Sequence, residues 1–200
     1  MNSNEPLAYR MRPKTLEEYV GQEHVLGQDK ILYRTIKADR LSSIILFGPP
    51  GCGKTSLAKV ISATTKYKFY KLNAVTAGVA DIKKVIEETK NFMLNPAGKS
   101  ILFIDEIHRF NKLQQDALLP FVENGLIILI GATTENPYFE VNKALISRSM
   151  VIKLEPLTEK NIYTILKNSL TRKDGLADYQ IKIEDSTLKK LASIANGDVR

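Results

Sequence analysis

The feature that most constrains the fold is a β-prone run, SIILF (43–47), followed at once by GPPGCGKT (48–55) and a helical pattern over 54–64. The eight-residue segment fits G-x-x-x-x-G-K-[ST], and a strand before it with a helix after it is the context that gives the motif its meaning. Glycines let successive backbone N–H groups turn inward and cradle phosphate oxygens. The helix N-terminus adds about half a positive charge at the same place. In such a loop Lys54 reaches the β- and γ-phosphates, and the hydroxyl of Thr55 faces Mg²⁺. Gly48, Pro49, Pro50, Gly51, Cys52, Gly53 and Ser56 complete the loop and the helix start. Cys52 admits two readings. It is a thiol activated by a helix N-terminus, or a small side chain in a loop that works through its backbone; the second asks for nothing further.

A loop of this kind needs a sheet to carry it. KFYKL (68–72), SILFID (100–105), LIILIGAT (126–133) and MVIKL (150–154) read as further strands, separated by helical patterns over 79–93 and 111–124. ILFID and LIILI are apolar on consecutive residues, as expected of strands covered on both faces. The alternation predicts an α/β fold, a five-stranded parallel sheet flanked by helices. Right-handed crossovers then collect the strand C-termini along one edge, where ligands bind. Hydrophobic residues make up 44% of the chain, ample for that core. After KLEPLTEKN no further strand is expected: 158–171 and 186–196 read as amphipathic helices, with Gly197 as a C-cap. A boundary near Pro156 divides an α/β unit (1–155) from the start of an all-α unit (156–200), which stops two helices in, as in a piece of a longer protein.

ILFIDEIH (101–108) pushes Asp105 and Glu106 out at the C-terminal end of a strand, beside the phosphate loop. Asp105 suits Mg²⁺, usually through water, and Glu106 suits the polarisation of an attacking water. A chain that only held ATP would not need Glu106. In IGATTENP (130–137) the polar strand end of Thr133, Thr134 and Asn136 is expected to face the γ-phosphate from the side. Arg148, before the last strand, and Arg200, after a capped helix, are either surface decoration or cations for phosphate. The net charge of +7 points to a polyanionic partner, nucleic acid first, or to a solvated lysine-rich surface. No apolar run reaches 18 residues, so no membrane span is expected. The single cysteine and the polar start MNSNEPLAYRMRP fit a reducing cytosol without a secretory signal.

In this order and spacing GPPGCGKT, ILFIDE, GATT, SR and GDVR resemble an AAA+ ATPase of the clamp-loader branch, and YRMRPKTLEEYVGQEHVLG (9–27) resembles that branch's adenine-pocket segment. LNAVTAGVADI, FIDEIHRFNKLQQDALLPFVENG and IGATTENPYFEVNKALISRS closely resemble the RarA/MgsA family (replication-associated recombination protein A), related to the eukaryotic Werner-helicase-interacting ATPase. The resemblance covers essentially the whole chain. It implies that Gly48, Gly51, Gly53, Lys54 and Thr55 form Walker A, and Asp105 and Glu106 Walker B. Thr134 takes the sensor 1 position, with Asn136 as the alternative. By the same resemblance Arg148 acts on the adjacent subunit, Arg200 is the sensor 2 arginine of a helical lid, and Asn73 restrains Glu106 until DNA binds. Arg12, Pro13, Tyr19, Val20 and Gly21 line the adenine. Two positions depart from the pattern: Cys52 replaces the usual threonine, and Met150 follows SRS where an arginine is expected.

The resemblance further implies a DNA-dependent ATPase using ATP and Mg²⁺, stimulated by DNA ends, gaps or forks, cytoplasmic and nucleoid-associated, with replication proteins such as single-strand-binding protein as partners. The full-length protein is expected to be a tetramer; these 200 residues alone are expected to be monomeric and poorly active. Thr76, Gly78, Lys83 and Lys84, at the start of the helix after NAVTAG, are the candidate DNA contacts. The rivals are a RuvB-type branch-migration motor, disfavoured by GATTENP and RFNK, and a nucleotide-gated scaffold, disfavoured by Glu106 and Arg148. A protein unfoldase would need an aromatic pore loop, and no convincing one stands between the second and third strands.

Overall fold

The computed structural model of the chain describes residues 5–199. Five parallel strands form one sheet: β1 (Ser43–Phe47), β2 (Lys68–Asn73), β3 (Ser100–Asp105), β4 (Ile127–Thr133) and β5 (Ser149–Lys153), in the order β2-β3-β4-β1-β5. The helices, in chain order, are α1 (Leu7–Arg10), α2 (Glu23–Leu26), α3 (Ile31–Lys37), α4 (Lys54–Ala63), α5 (Val79–Lys90), α6 (Lys112–Glu123), α7 (Pro137–Glu140), α8 (Lys143–Ile146), α9 (Glu159–Thr171) and α10 (Asp185–Ile194).

Consecutive apolar residues work here because the sheet is covered twice. Ile44, Leu46, Ile101, Phe103, Ile130 and Ile152 pack with Leu57 and Ile61 of α4 and Leu32 and Ile36 of α3. The alternate residues Ile45, Leu102, Ile104 and Leu129 pack with Ile82 and Ile86 of α5 and Leu118 and Val122 of α6. Each fully buried Ile or Leu contributes about 1.5–3 kcal/mol. The central strands are therefore the firmest part of the molecule. Edge strand β2 is half exposed and carries Lys68 and Lys71, charges that suit an edge open to solvent.

The strands end together. Phe47 pairs with Thr133 of β4 and Lys153 of β5, and Asn73 pairs with Asp105. The ladder runs one step further, through Gly48 N–H to Thr133 O (3.2 Å) and Ala74 N–H to Asp105 O (3.0 Å). The chain leaves β1 for the far edge and returns through β3 and β4. Order thus reverses beside β1, the place where open parallel sheets bind ligands.

Helix α5 ends at Lys90, three residues short of the expected span. The Asn91 side chain accepts the Met93 N–H (3.0 Å), and buried Asn95 donates to Thr89 O and Lys99 O, so side-chain amides take over from the helix. Beyond β5, α9 and α10 bury Leu157, Ile162 and Ala192 in a small cluster of their own. Thr158 caps α9, with its hydroxyl accepting the Asn161 N–H (3.2 Å).

Candidate nucleotide site

A cleft of about 650 Å³ opens at the C-terminal edge of the sheet. One wall is Pro50 to Ser56 with Asp105, Glu106 and Thr134; another is Arg12, Pro13, Tyr19 and Val20; α9 and the chain end close it with Ile165, Asn168, Arg172 and Val199. These groups come from positions up to 190 residues apart, drawn together by the sheet edge.

Gly53 has φ +99° and caps α4, and Gly51 has φ +74°, a region L side chains rarely adopt. Neither tolerates a Cβ: one at Gly53 would strike the Tyr19 hydroxyl, and one at Gly51 would strike Asp198. The loop is thus gripped by Tyr19 of the N-terminal segment and by Asp198, and Pro50 to Ser56 line the cleft. Buried Lys54 donates from Nζ to Gly48 O (2.7 Å) and Pro49 O (2.8 Å). Gly48 and Pro49 meet the lysine through their carbonyls and are not among the residues that line the cleft. Cys52 is fully buried, and burial pushes its thiol up although Lys54 opposes the shift. The small-side-chain reading therefore wins over the reactive thiol. Tyr19 donates to Cys52 O (3.4 Å), and burial pushes its phenol up.

Asp105 and Glu106 stand at the tip of β3. Lys71, one strand away, places Nζ 3.5 Å from Asp105 Oδ2. Glu106 takes a left-handed backbone (φ 56°, ψ 45°), which turns the chain sharply into the 3₁₀ turn Ile107–Arg109. A Mg²⁺ ion held by Thr55, Asp105, phosphate oxygens and water fits this donor set, because Mg²⁺ takes one or two carboxylates and keeps its waters.

Not every expected residue lines the cleft. Thr134 lines the cleft, but Thr133 does not: side chains alternate across a strand, and the buried Thr133 hydroxyl meets His108 Nδ1 (2.8 Å) instead. Asn136 is used to cap α7, accepting the Tyr138 N–H (3.1 Å). Gly21 is spent on packing, since a Cβ there would lie 2.7 Å from Leu157 Cδ2. Asn73 is exposed and accepts the Val75 N–H (2.9 Å), one strand from Asp105. Arg148 lies outside the cleft lining, paired with Glu123 at the end of α6 (2.7 Å) and donating to Ala144 O (2.9 Å). Met150 packs against the α4-side core, which accounts for an apolar residue there. Arg200 falls outside the described residues. Thr76, Lys83 and Lys84 are exposed, whereas the Gly78 N–H is already taken by Asp81 Oδ2 (2.8 Å), so the α5 N-terminus carries its own anion.

Four residues at or beside the cleft were not singled out in the sequence, although two of them, Tyr9 and Gln22, lie in the segment 9–27. Gln22, buried, donates to Cys52 O (3.3 Å) and Glu155 O (2.7 Å) and accepts the Glu155 N–H (3.0 Å). It joins the N-terminal segment, the phosphate loop and the lead into α9; its place after VG was the only signal. Asn168 and Arg172 come from a helix with no motif. Tyr9, at the cleft mouth, lies between the Arg12 guanidinium (4.6 Å) and Lys59 ammonium (4.9 Å).

Comparison with known proteins agrees with this geometry. The family described as the Holliday junction DNA helicase RuvB P-loop domain matches residues 11–159. ATPase WRNIP1 of Dictyostelium discoideum is 50% identical over 98% of this chain and 22% of its own length. Replication-associated recombination protein A of Coxiella burnetii is 48% identical over 98% of this chain and 44% of its own. Among solved structures, the Thermotoga maritima RuvB Holliday junction branch migration motor gives a TM-score of 0.77 at 28% identity, covering 96% of this chain and 62% of that one. The chain spans less than half the length of these curated relatives. The phosphate loop and the acidic tip of β3 both lie within the matched residues, and the chain belongs to the RuvB P-loop-domain family of AAA+ ATPases and is similar to replication-associated recombination protein A.

Proposed function

We propose that this chain is the ATP-hydrolysing module of a DNA-dependent ATPase that acts in replication-fork maintenance, recombination and repair. One observation carries the reading: Lys54, Thr55, Asp105, Glu106 and Thr134 converge on a single cleft. The loop N–H groups and Lys54 hold the phosphates. Thr55 and Asp105 would hold Mg²⁺, which would neutralise phosphate charge. Glu106 accepts a proton from water as the water oxygen attacks the γ-phosphorus, and the bond from that phosphorus to the β–γ bridging oxygen breaks, releasing ADP. Thr134 contacts the γ-phosphate from the side. Pro13, Tyr19 and Val20 take the adenine, with Asn168 and Arg172 opposite.

Arg148 stands apart from its own cleft, which supports a role on a neighbouring subunit's nucleotide. A homo-oligomer, a tetramer by resemblance, is then required for full turnover. Exposed Thr76, Lys83 and Lys84 are the proposed contacts to DNA backbone, joined by partners such as single-strand-binding protein. Residues 156–199 begin a helical lid, and Asn73 restrains Glu106, a role supported by the pairing of Asn73 with Asp105.

The RuvB-type motor is the second reading, favoured by the matched family and the solved neighbours. Identity weighs against it: 45–48% to proteins named replication-associated recombination protein A, and 27–28% to RuvB. The test is ATP turnover by the whole protein that carries this chain, with and without forked or gapped DNA, beside Glu106→Gln. DNA stimulation abolished by Glu106→Gln supports the proposal. Tight ATP binding without turnover on any DNA would replace it with a nucleotide-gated scaffold, and branch migration of a four-way junction would move it to the motor.

A further inference from the structure

The turn after β3 is fastened to β4 at two points. Ile107 is fully buried, and its Cδ1 would lie 2.9 Å from a Cβ at Gly131, so this side chain occupies the space that a larger residue in β4 would fill. His108 is the second point. Its Nδ1 lies 2.8 Å from Thr133 Oγ1 and 3.5 Å from Glu106 Oε2. The Glu106 carboxylate only accepts hydrogen bonds, and we assign a proton to Nδ1 on that ground. The same nitrogen is hydrogen-bonded to the Thr133 hydroxyl, whose oxygen also accepts the Glu135 N–H (3.0 Å). Thr133 is fully buried, and the next residue, Thr134, lines the cleft.

We propose that His108 is a positioning residue that ties the carboxylate of Glu106 to the tip of β4, so that the base and the strand bearing Thr134 keep one geometry. This rests on Glu106 being the base. Glu106 sits on a left-handed residue at a sharp turn, where its own backbone leaves the side chain's direction to its neighbours. A displacement at Thr134 is passed to Glu106 through Thr133 and the imidazole, without passing through the nucleotide. His108 touches no reacting atom in this scheme. Its loss slows the chemical step and leaves phosphate binding, which belongs to Lys54 and the loop, as it was.

The experiment compares ATP turnover and ATP affinity of the whole protein with forked DNA for His108→Leu, His108→Asn, Thr133→Val and the His108→Leu/Thr133→Val pair. Asparagine places an amide N–H near the position of Nδ1. His108→Leu is expected to lower kcat about tenfold, a part of the 10²–10⁴ a general base supplies, with ATP Kd within twofold. His108→Asn recovers most of that rate. Thr133→Val slows turnover less, and adds nothing in the pair, because both substitutions cut one connection. Wild-type kcat in His108→Leu, equal slowing by His108→Asn, or multiplying effects in the pair would overturn the proposal. If His108→Leu does not fold, Thr133→Val decides, and an unchanged kcat in it overturns the proposal. Glu106→Gln separates the two ideas: turnover surviving in it defeats the base reading, whereas its loss beside a wild-type His108→Leu defeats only the positioning role.

Discussion

The two ends of the cleft are built differently. At the phosphate end every group hangs from the tip of a buried strand: the loop from β1, Asp105 and Glu106 from β3, Thr134 from β4. At the base end the walls are side chains from the segment Pro6 to Val20 and from α9 with the turn after it, joined by ion pairs. Arg172 binds Asp174 through two nitrogens (2.8 and 2.7 Å) and lies 3.5 Å from Glu18, while Lys14 lies 3.2 Å from Asp174. A core residue is worth about 1.5–3 kcal/mol and an exposed ion pair about 0–1. Chemistry that needs fixed geometry sits where the fold is firm, and recognition that must admit and release a nucleotide sits where it is soft.

The largest effect expected is at the firm end. Glu106→Gln should lower kcat by about 10²–10⁴ while ATP affinity, read by calorimetry, stays within twofold. Lys54→Ala should weaken ATP binding about 10- to 100-fold, since charge-assisted hydrogen bonds contribute about 1.5–3 kcal/mol. Asn168→Ala should weaken it only about two- to fivefold, the scale of one neutral contact of about 0.5–1 kcal/mol. If Asn168→Ala costs more than Lys54→Ala in the same titration, the division between the two ends is wrong.

The smallest effect concerns the ion pairs. The Arg172 hydrogen bonds, with help from Lys14, hold the Asp174 carboxyl well below the usual carboxylate range. A carboxyl depressed in the folded state stabilises fully above its unfolded value of about 3.9, and that contribution fades as pH falls toward the folded value. Asp174→Asn should therefore cost about 1 kcal/mol at pH 7. Its melting temperature should converge with that of the parent only below about pH 4. A gap that closes near pH 6 would assign the effect to another group.

The same division explains what could be read in the sequence. All five strands fall within a residue of their expected spans; β1, β3 and β4 are covered on both faces and declare themselves by consecutive apolar residues. The phosphate loop is a local motif and was legible whole. Thr133 and Thr134 are adjacent and equally polar; only the pleat, which sends one to His108 and the other to the cleft, separates their roles. Asn136 likewise carried a residue type fit for either a cap or a ligand. The base end was legible on its N-terminal side alone. Asn168 and Arg172 have no local pattern, and their place in the site depends on a return of the chain 150 residues later.

The strand order has a consequence for the making of the protein. β1, whose end holds the phosphate loop, pairs only with β4 and β5, so its nearest sheet partner is complete only at Thr133. During synthesis at about 5–20 residues per second, the loop waits on the order of ten seconds, while β2 and β3 can already pair with each other. A nascent chain that stops before β4 has an apolar β1 with both edges open, the kind of segment that chaperones shield and that aggregates when they do not. The capacity to grip a nucleotide is thus acquired late and all at once. ATP in the surrounding solution would favour the finished sheet over every earlier form.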